Sequence, residues 1–186
     1  SKRRLGQGLY LEAEALLKRA ISRQTFRNPN PQDGEALYHL GLTLEHLRRE
    51  EEAAASYRKA AWNFEWKAAG LYRSALICCR KGDFKGALAL LDEAMDSMGW
   101  HPNALCAKAQ ILRRLGRETE AEELIARLLK RDPLNVWALF LASETDLSMG
   151  EKLRSALGSD SQRWIDLSLD LRESAGGSGP VLVQSP

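Results

Sequence analysis

The sequence has 186 residues, of which 44% are hydrophobic and 28% charged, and its formal net charge is +2. These totals fit one globular domain or a run of small units, and so small a charge does not indicate binding to nucleic acid or membrane. No apolar run approaches the ~20 residues of a membrane-spanning helix, and the charged start has no secretory signal. Three cysteines do not form a disulfide framework, so we expect a reducing, cytoplasmic setting.

A 34-residue repeat organises the chain. Arg48, Gly82 and Gly116 lie 34 residues apart, and an alanine follows each of them after five residues. A fixed period of a few tens of residues is typical of repeat architectures. The period predicts repeats at 34–67, 68–101 and 102–135. Around them we expect a partial repeat and linker at 1–33, a degenerate repeat at 136–158, a terminal helix at 159–175 and a flexible Gly/Ser/Pro tail at 176–186.

Each repeat is predicted to be a helical hairpin. In the third repeat, Leu105, Ala109 and Leu112 share one helical face. Gly116 is expected to end this first helix in the left-handed conformation, and Pro133 is expected to stop the second. Small residues recur at the eighth, twentieth and twenty-seventh positions, where we expect side chains no larger than a methyl group so that helices approach to about 8 Å. They are Gly41, Ala75 and Ala109, then Ala53, Ala87 and Ala121, then Ala60 and Ala94.

The three repeats resemble the tetratricopeptide repeat (TPR) family. The first matches its pattern through Leu37, Leu40, Gly41, Leu44, Ala53, Tyr57 and Ala60, and departs from it at Arg48 and Glu65. The second matches through Leu71, Ala75, Gly82, Ala87, Leu91 and Ala94, and the third through Leu105, Ala109, Leu112, Gly116, Ala121, Ile125 and Pro133. The resemblance implies an all-α fold, a right-handed α-solenoid of TPR hairpins whose first helices line a concave, peptide-binding face.

A narrower resemblance rests on the stretches RNPNPQDGEALYHLG, AAWNFEW and RDPLNVWALF. They are similar to bacterial TPR proteins that carry a β-sandwich domain of unknown function. That resemblance implies a bacterial source and further residues upstream.

By the TPR resemblance, the concave face includes Tyr38, His39, Leu42, His46, Tyr72, Arg73, Arg80, Gln110, Arg113 and Phe140. Basic residues with interspersed aromatic side chains favour an acidic or C-terminal partner segment with a bulky apolar residue. Helix dipoles explain arginines at helix ends without any ligand. Arg73 lies in mid-helix, so it is the strongest single candidate.

Three aromatic residues, Trp62, Phe64 and Trp66, cluster where the first repeat joins the second. Residues of this kind usually fill the seam between repeats, and we expect that role here. The alternative is an exposed anchor for a partner.

No pattern in the sequence indicates catalysis, a cofactor or a metal. His39 and His46 are seven residues apart, about 10.5 Å along a helix, whereas helical zinc pairs are four residues apart. Phosphate-binding and nucleophile motifs are absent, and we expect Cys78 and Cys79 to be small packing residues. We therefore expect a chain without catalytic, cofactor-binding or metal-binding residues, and not an enzyme.

The leading functional hypothesis is a non-catalytic scaffold that binds a protein or peptide, or a domain of its own parent chain. One alternative is RNA binding, since GALALLDEAMDSMGWHPN resembles a pentatricopeptide repeat, although the 34-residue period and the small net charge oppose it. Another is an auxiliary domain of a larger bacterial, carbohydrate-related protein. Because residues 8–23 lack the partner helix that would cover Leu9, Leu16 and Leu17, we expect either a homo-oligomer through that end or a missing upstream repeat.

Overall fold

A computed structural model describes residues 8–26, 33–98 and 100–144. Within these ranges the chain forms eight α-helices and no strand, which confirms the all-α solenoid class. No helix in this part of the chain is long and apolar enough to cross a bilayer. The helices are α1 (Tyr10–Gln24), α2 (Glu35–His46), α3 (Glu50–Ala60), α4 (Phe64–Arg80), α5 (Phe84–Met98), α6 (Pro102–Arg114), α7 (Glu118–Arg131) and α8 (Val136–Ser143). The second helix of the degenerate repeat, the terminal helix and the tail lie outside the described residues.

The described residues fall into two compact units. The N-terminal unit comprises residues 8–26, 33–77 and 89–98, and the C-terminal unit comprises 78–88 and 100–144. In the N-terminal unit, α1 and α3 pack against α2 around a buried cluster that includes Leu17, Leu44 and Tyr57. Leu17 was expected to be uncovered, but it is 2% exposed because it belongs to this core. In the C-terminal unit, α6, α7 and α8 pack together.

The first helix of each of the three repeats ends in the same way. Arg48, Gly82 and Gly116 have φ angles of 60°, 78° and 73°, which confirms the predicted left-handed ending at Gly116. At the end of α2, the amide of Arg49 donates to the carbonyl of Leu44 at 2.9 Å. Equivalent backbone hydrogen bonds close α4 and α6. These are Schellman caps, and they fix where each hairpin turns.

Small residues lie where the helices approach most closely. The alanines at the eighth, twentieth and twenty-seventh positions are all at most 1% exposed, as expected. Gly41 also keeps within the expected limit, and its site has no room even for a methyl group. A Cβ atom there would lie 2.5 Å from the ring of Tyr57, because Tyr57 is larger than the residues at its position in the next two repeats, Leu91 and Ile125.

Helix α4 begins at Phe64, four residues before the expected repeat boundary at residue 68. Glu65 stands where the TPR pattern has proline, so nothing stops a helix here, and Asn63 Oδ1 accepts a hydrogen bond from the Glu65 amide at 3.1 Å. The early start leaves Trp62 73% and Phe64 82% exposed. The expectation that they fill the seam between repeats is therefore wrong, and only Trp66 is half-buried.

Candidate partner-binding surface

An aromatic patch, defined here as Tyr38, His39 and Trp66, lies on the first helices of the N-terminal unit. Helix α2 carries Tyr38 and His39, and α4 carries Trp66. The Tyr38 and Trp66 ring centroids are 5.0 Å apart, and His39 is 5.8 Å from Tyr38 and 6.1 Å from Trp66. All three side chains are half-buried, so the patch is held by packing and still meets solvent.

Asp33 fixes the orientation of the patch at the start of α2. Its Oδ1 accepts hydrogen bonds from Trp66 Nε1 at 3.0 Å and from the Glu35 amide at 2.8 Å. Gly34 lies close to the end of α3. A Cβ atom at Gly34 would lie 2.8 Å from the carbonyl oxygen of Ala60, so glycine is needed for the start of α2 to approach α3 here. Asp33 itself is exposed. Sequence reasoning placed it in the linker and missed it, although an aspartate next to the first turn of a helix is a capping signal.

Arg73, the strongest candidate from the sequence, forms an internal ion pair in the N-terminal unit. Its Nη2 and Nε donate to Glu45 Oε2 at 2.5 and 3.0 Å. The Tyr57 hydroxyl donates to the same oxygen at 2.5 Å, and burial raises the pKa of that hydroxyl, which keeps its proton in place. The Glu45 side chain is 9% exposed and that of Arg73 28%. The guanidinium charge is thus balanced inside the fold and links α2 to α4.

Arg113 has the same kind of role in the C-terminal unit. Its Nη1 donates to the Leu141 carbonyl oxygen at 3.0 Å and to Glu144 Oε2 at 2.9 Å. The side chain is 13% exposed. Both central arginines therefore join neighbouring first helices, and each of them is paired with an acidic side chain.

The other predicted contact residues lie in varied environments. Leu42 packs partly against the core cluster, and His46 is exposed and stacks on Tyr10 with the ring centroids 4.4 Å apart. Tyr72, Arg80 and Phe140 are half-buried. Gln110 is only 5% exposed, so its assignment to an accessible face is corrected: it lies among buried residues of α6.

The cysteines and histidines show no reactive grouping. The described residues contain no cluster of three His, Cys, Asp or Glu side chains placed to hold a metal ion. All three cysteines are free. Burial raises the pKa of the Cys79 thiol to about 12 and also raises that of Cys106, so neither is a thiolate at neutral pH.

These helices, with left-handed ends 34 residues apart and an aromatic surface on two first helices, define a helical-hairpin repeat protein. The chain belongs to the tetratricopeptide repeat family, because models of that repeat match residues 1–70 and 80–143. Proteins of this family are generally non-catalytic scaffolds for protein interactions.

Solved structures with a similar fold include two described as "Crystal structure of MamA" and "Crystal structure of MamA protein". Each has a TM-score of 0.62 and 19% sequence identity, and the matches cover 92% and 98% of this chain and 93% of each of those chains. At this identity the likeness shows the fold alone.

Proposed function

We propose that the chain holds a peptide segment or a domain of a partner protein against the first helices α2 and α4 of the N-terminal unit. The observation that carries this proposal is the exposure of Trp62 and Phe64, at 73% and 82%, beside the start of α4. Large aromatic side chains in water cost free energy unless a partner covers them, and aromatic residues dominate the binding energy of protein interfaces.

The half-buried aromatic patch on α2 and α4 is a second, preorganised region that we include in the proposed binding surface. Tyr38 is packed by Trp66 on one side and by Tyr57, with centroids 5.5 Å apart, on another. When a partner binds to the patch, few side chains of this chain lose further freedom, which lowers the entropic cost of association. The expected acidic partner rested on Arg73 and Arg113. Because both form internal ion pairs, acidity of the partner is not part of the proposal.

The test is selection from a displayed library of random peptides, followed by affinity measurement on purified variants. We expect recovered peptides to bind the wild-type chain and to lose about tenfold in affinity with the Trp62→Ser/Phe64→Ser variant, because two contact residues are removed. Leu134→Ser is the matched control, since Leu134 is 72% exposed in the C-terminal unit. Failure to select any peptide, or equal affinity for the double variant, would contradict the proposal.

A second role, self-association through α1, has its own support. Leu9, Leu11 and Leu16 are 38%, 71% and 38% exposed. We propose that these leucines contribute to contacts between copies of the chain.

A further inference from the structure

Acidic residues lie next to those of the aromatic patch along the chain, and one of them, Glu35, has its Oε1 4.0 Å from His39 Nε2. Asp33, Glu35 and Glu65 are the acidic residues at the start of α2 and in the first turn of α4. Two cations lie on α4 nearby, and each has an acidic partner: Lys67 pairs with Glu93 at 3.0 Å, and Arg73 pairs with Glu45.

Asp33 is the acidic group best placed to act on a ligand. Within the described part of the chain, no lysine or arginine forms an ion pair with it, and its hydrogen-bond donors are the neutral Trp66 indole and a backbone amide. The Asp33 side chain is exposed, so a ligand in solution can reach its carboxylate. Because Trp66 Nε1 donates to this carboxylate, the charge lies at the edge of the indole ring.

A carboxylate beside aromatic faces is suited to a cation. Tyr38 and Trp66 are tilted by 35° with their centroids 5.0 Å apart, and a cation over either ring is attracted by the negative π-face. A nearby carboxylate adds a charge-assisted hydrogen bond, which is stronger than a neutral one. A carboxylate of a partner would instead be repelled by Asp33.

We propose that Asp33 and the aromatic patch bind a positively charged side chain, arginine or lysine, of the partner segment. This inference rests on the proposed function, since it assigns the chemistry that the same surface recognises. Arginine suits the site well because its planar guanidinium stacks on aromatic rings while it donates hydrogen bonds to a carboxylate.

The test follows the indole N–H signal of Trp66 by NMR during titration with N-acetyl-arginine methylamide. Its neutral isostere, N-acetyl-citrulline methylamide, is the matched ligand control. We expect a saturable shift with the arginine probe and a much weaker response to citrulline. Asp33→Asn keeps an oxygen acceptor for Trp66 Nε1 and removes the charge, so it should weaken arginine binding by about threefold or more.

Glu122→Gln is the matched control variant, because Glu122 is an exposed acidic residue on α7, and it should bind the arginine probe like the wild type. The proposal is overturned if the arginine probe gives no saturable shift, if citrulline matches it, or if Asp33→Asn binds equally well. Peptides that depend on Trp62 and Phe64 while the arginine probe fails to bind would leave the proposed function standing and remove the cation assignment alone.

Discussion

At the scale of single residues, Arg48 is the clearest departure from the repeat pattern. It has φ of 60° at the position where the next two repeats have Gly82 and Gly116. A residue with a Cβ atom in this conformation costs about 1–2 kcal/mol, whereas glycine adopts it freely. Arg48 is exposed, so its side chain offsets little of that cost by packing.

We predict that Arg48→Gly raises the free energy of unfolding by about 0.5–1 kcal/mol, since the relief of backbone strain exceeds the added freedom of glycine in the unfolded chain. Urea denaturation followed by circular dichroism measures the change. Gly82→Ala is the reciprocal control. A Cβ atom there meets nothing within 4 Å, so only the backbone penalty, about 1 kcal/mol, should appear as destabilisation. Lower stability of Arg48→Gly would show that the arginine side chain contributes more than the strain.

The sequence predicted the left-handed end of the helix at Gly116 but not the role of Arg73. The first is a local signal, because glycine adopts this conformation without a Cβ penalty. The second depends on Glu45, which is 28 residues away and comes within reach only when α2 and α4 are neighbours. Asp33 was missed for the same reason, since its partner Trp66 lies 33 residues further along the chain.

At the scale of secondary-structure elements, Arg49 connects α1 to the start of α3. Its Nη1 donates to both oxygens of Glu14 at 2.8 and 2.9 Å, and its Nε and Nη2 donate to Glu52 at 2.6 Å each. Glu14 is 8% exposed, and Lys18 Nζ lies 2.6 Å from its Oε1. The hydrogen bond from Lys18 lowers the pKa of Glu14, burial opposes the shift, and Arg49 adds to the lowering.

We predict that Glu14→Gln lowers the free energy of unfolding by about 1–2 kcal/mol at neutral pH, because charge-assisted hydrogen bonds are lost at a buried site. Since the folded-state pKa of Glu14 is lowered, its stabilisation is present above the pKa of the unfolded chain. It is lost as the pH falls through the folded value. The difference in melting temperature between wild type and variant should therefore shrink between about pH 7 and about pH 3.

Glu52→Gln is the control for this prediction. Its side chain is 54% exposed, and exposed ion pairs contribute little because water and salt screen them. A melting-temperature difference for Glu14→Gln that stays constant across the acid range would indicate that packing, rather than charge, accounts for the loss.

The hairpins themselves were largely predictable from the sequence. Period, glycine ends and apolar stripes indicate a helical hairpin in each repeat, since these signals are local. The start of α4 was not predicted. The period suggested residue 68, but Glu65 in place of proline and the Asn63 cap let the helix begin at Phe64, and this changes the environment of two aromatic residues.

At the scale of the whole molecule, exposed leucines at the start of α1 and along it are expected to promote self-association. Leu11 is 71% exposed, with Leu9 and Leu16 each 38% exposed. We predict that the wild-type chain self-associates with rising concentration and that Leu11→Glu/Leu16→Glu weakens this association, because charge on an apolar contact opposes its burial. Sedimentation equilibrium measures both.

Leu134→Glu is the comparison for self-association, because it changes an equally exposed leucine in the C-terminal unit. It should leave the association unchanged. A wild-type chain that stays monomeric at every concentration would contradict a role for α1 in assembly.

The contact between Gly41 and Tyr57 has a consequence for exchanging repeats between proteins. Where the twenty-fourth position holds tyrosine, the eighth holds glycine. Where it holds the smaller Leu91 or Ile125, the eighth is alanine. The two positions divide a fixed volume between them. A chimaeric protein that exchanges only one residue of such a pair would have either a cavity or a steric clash between the two helices. Both residues of the pair must therefore be exchanged together.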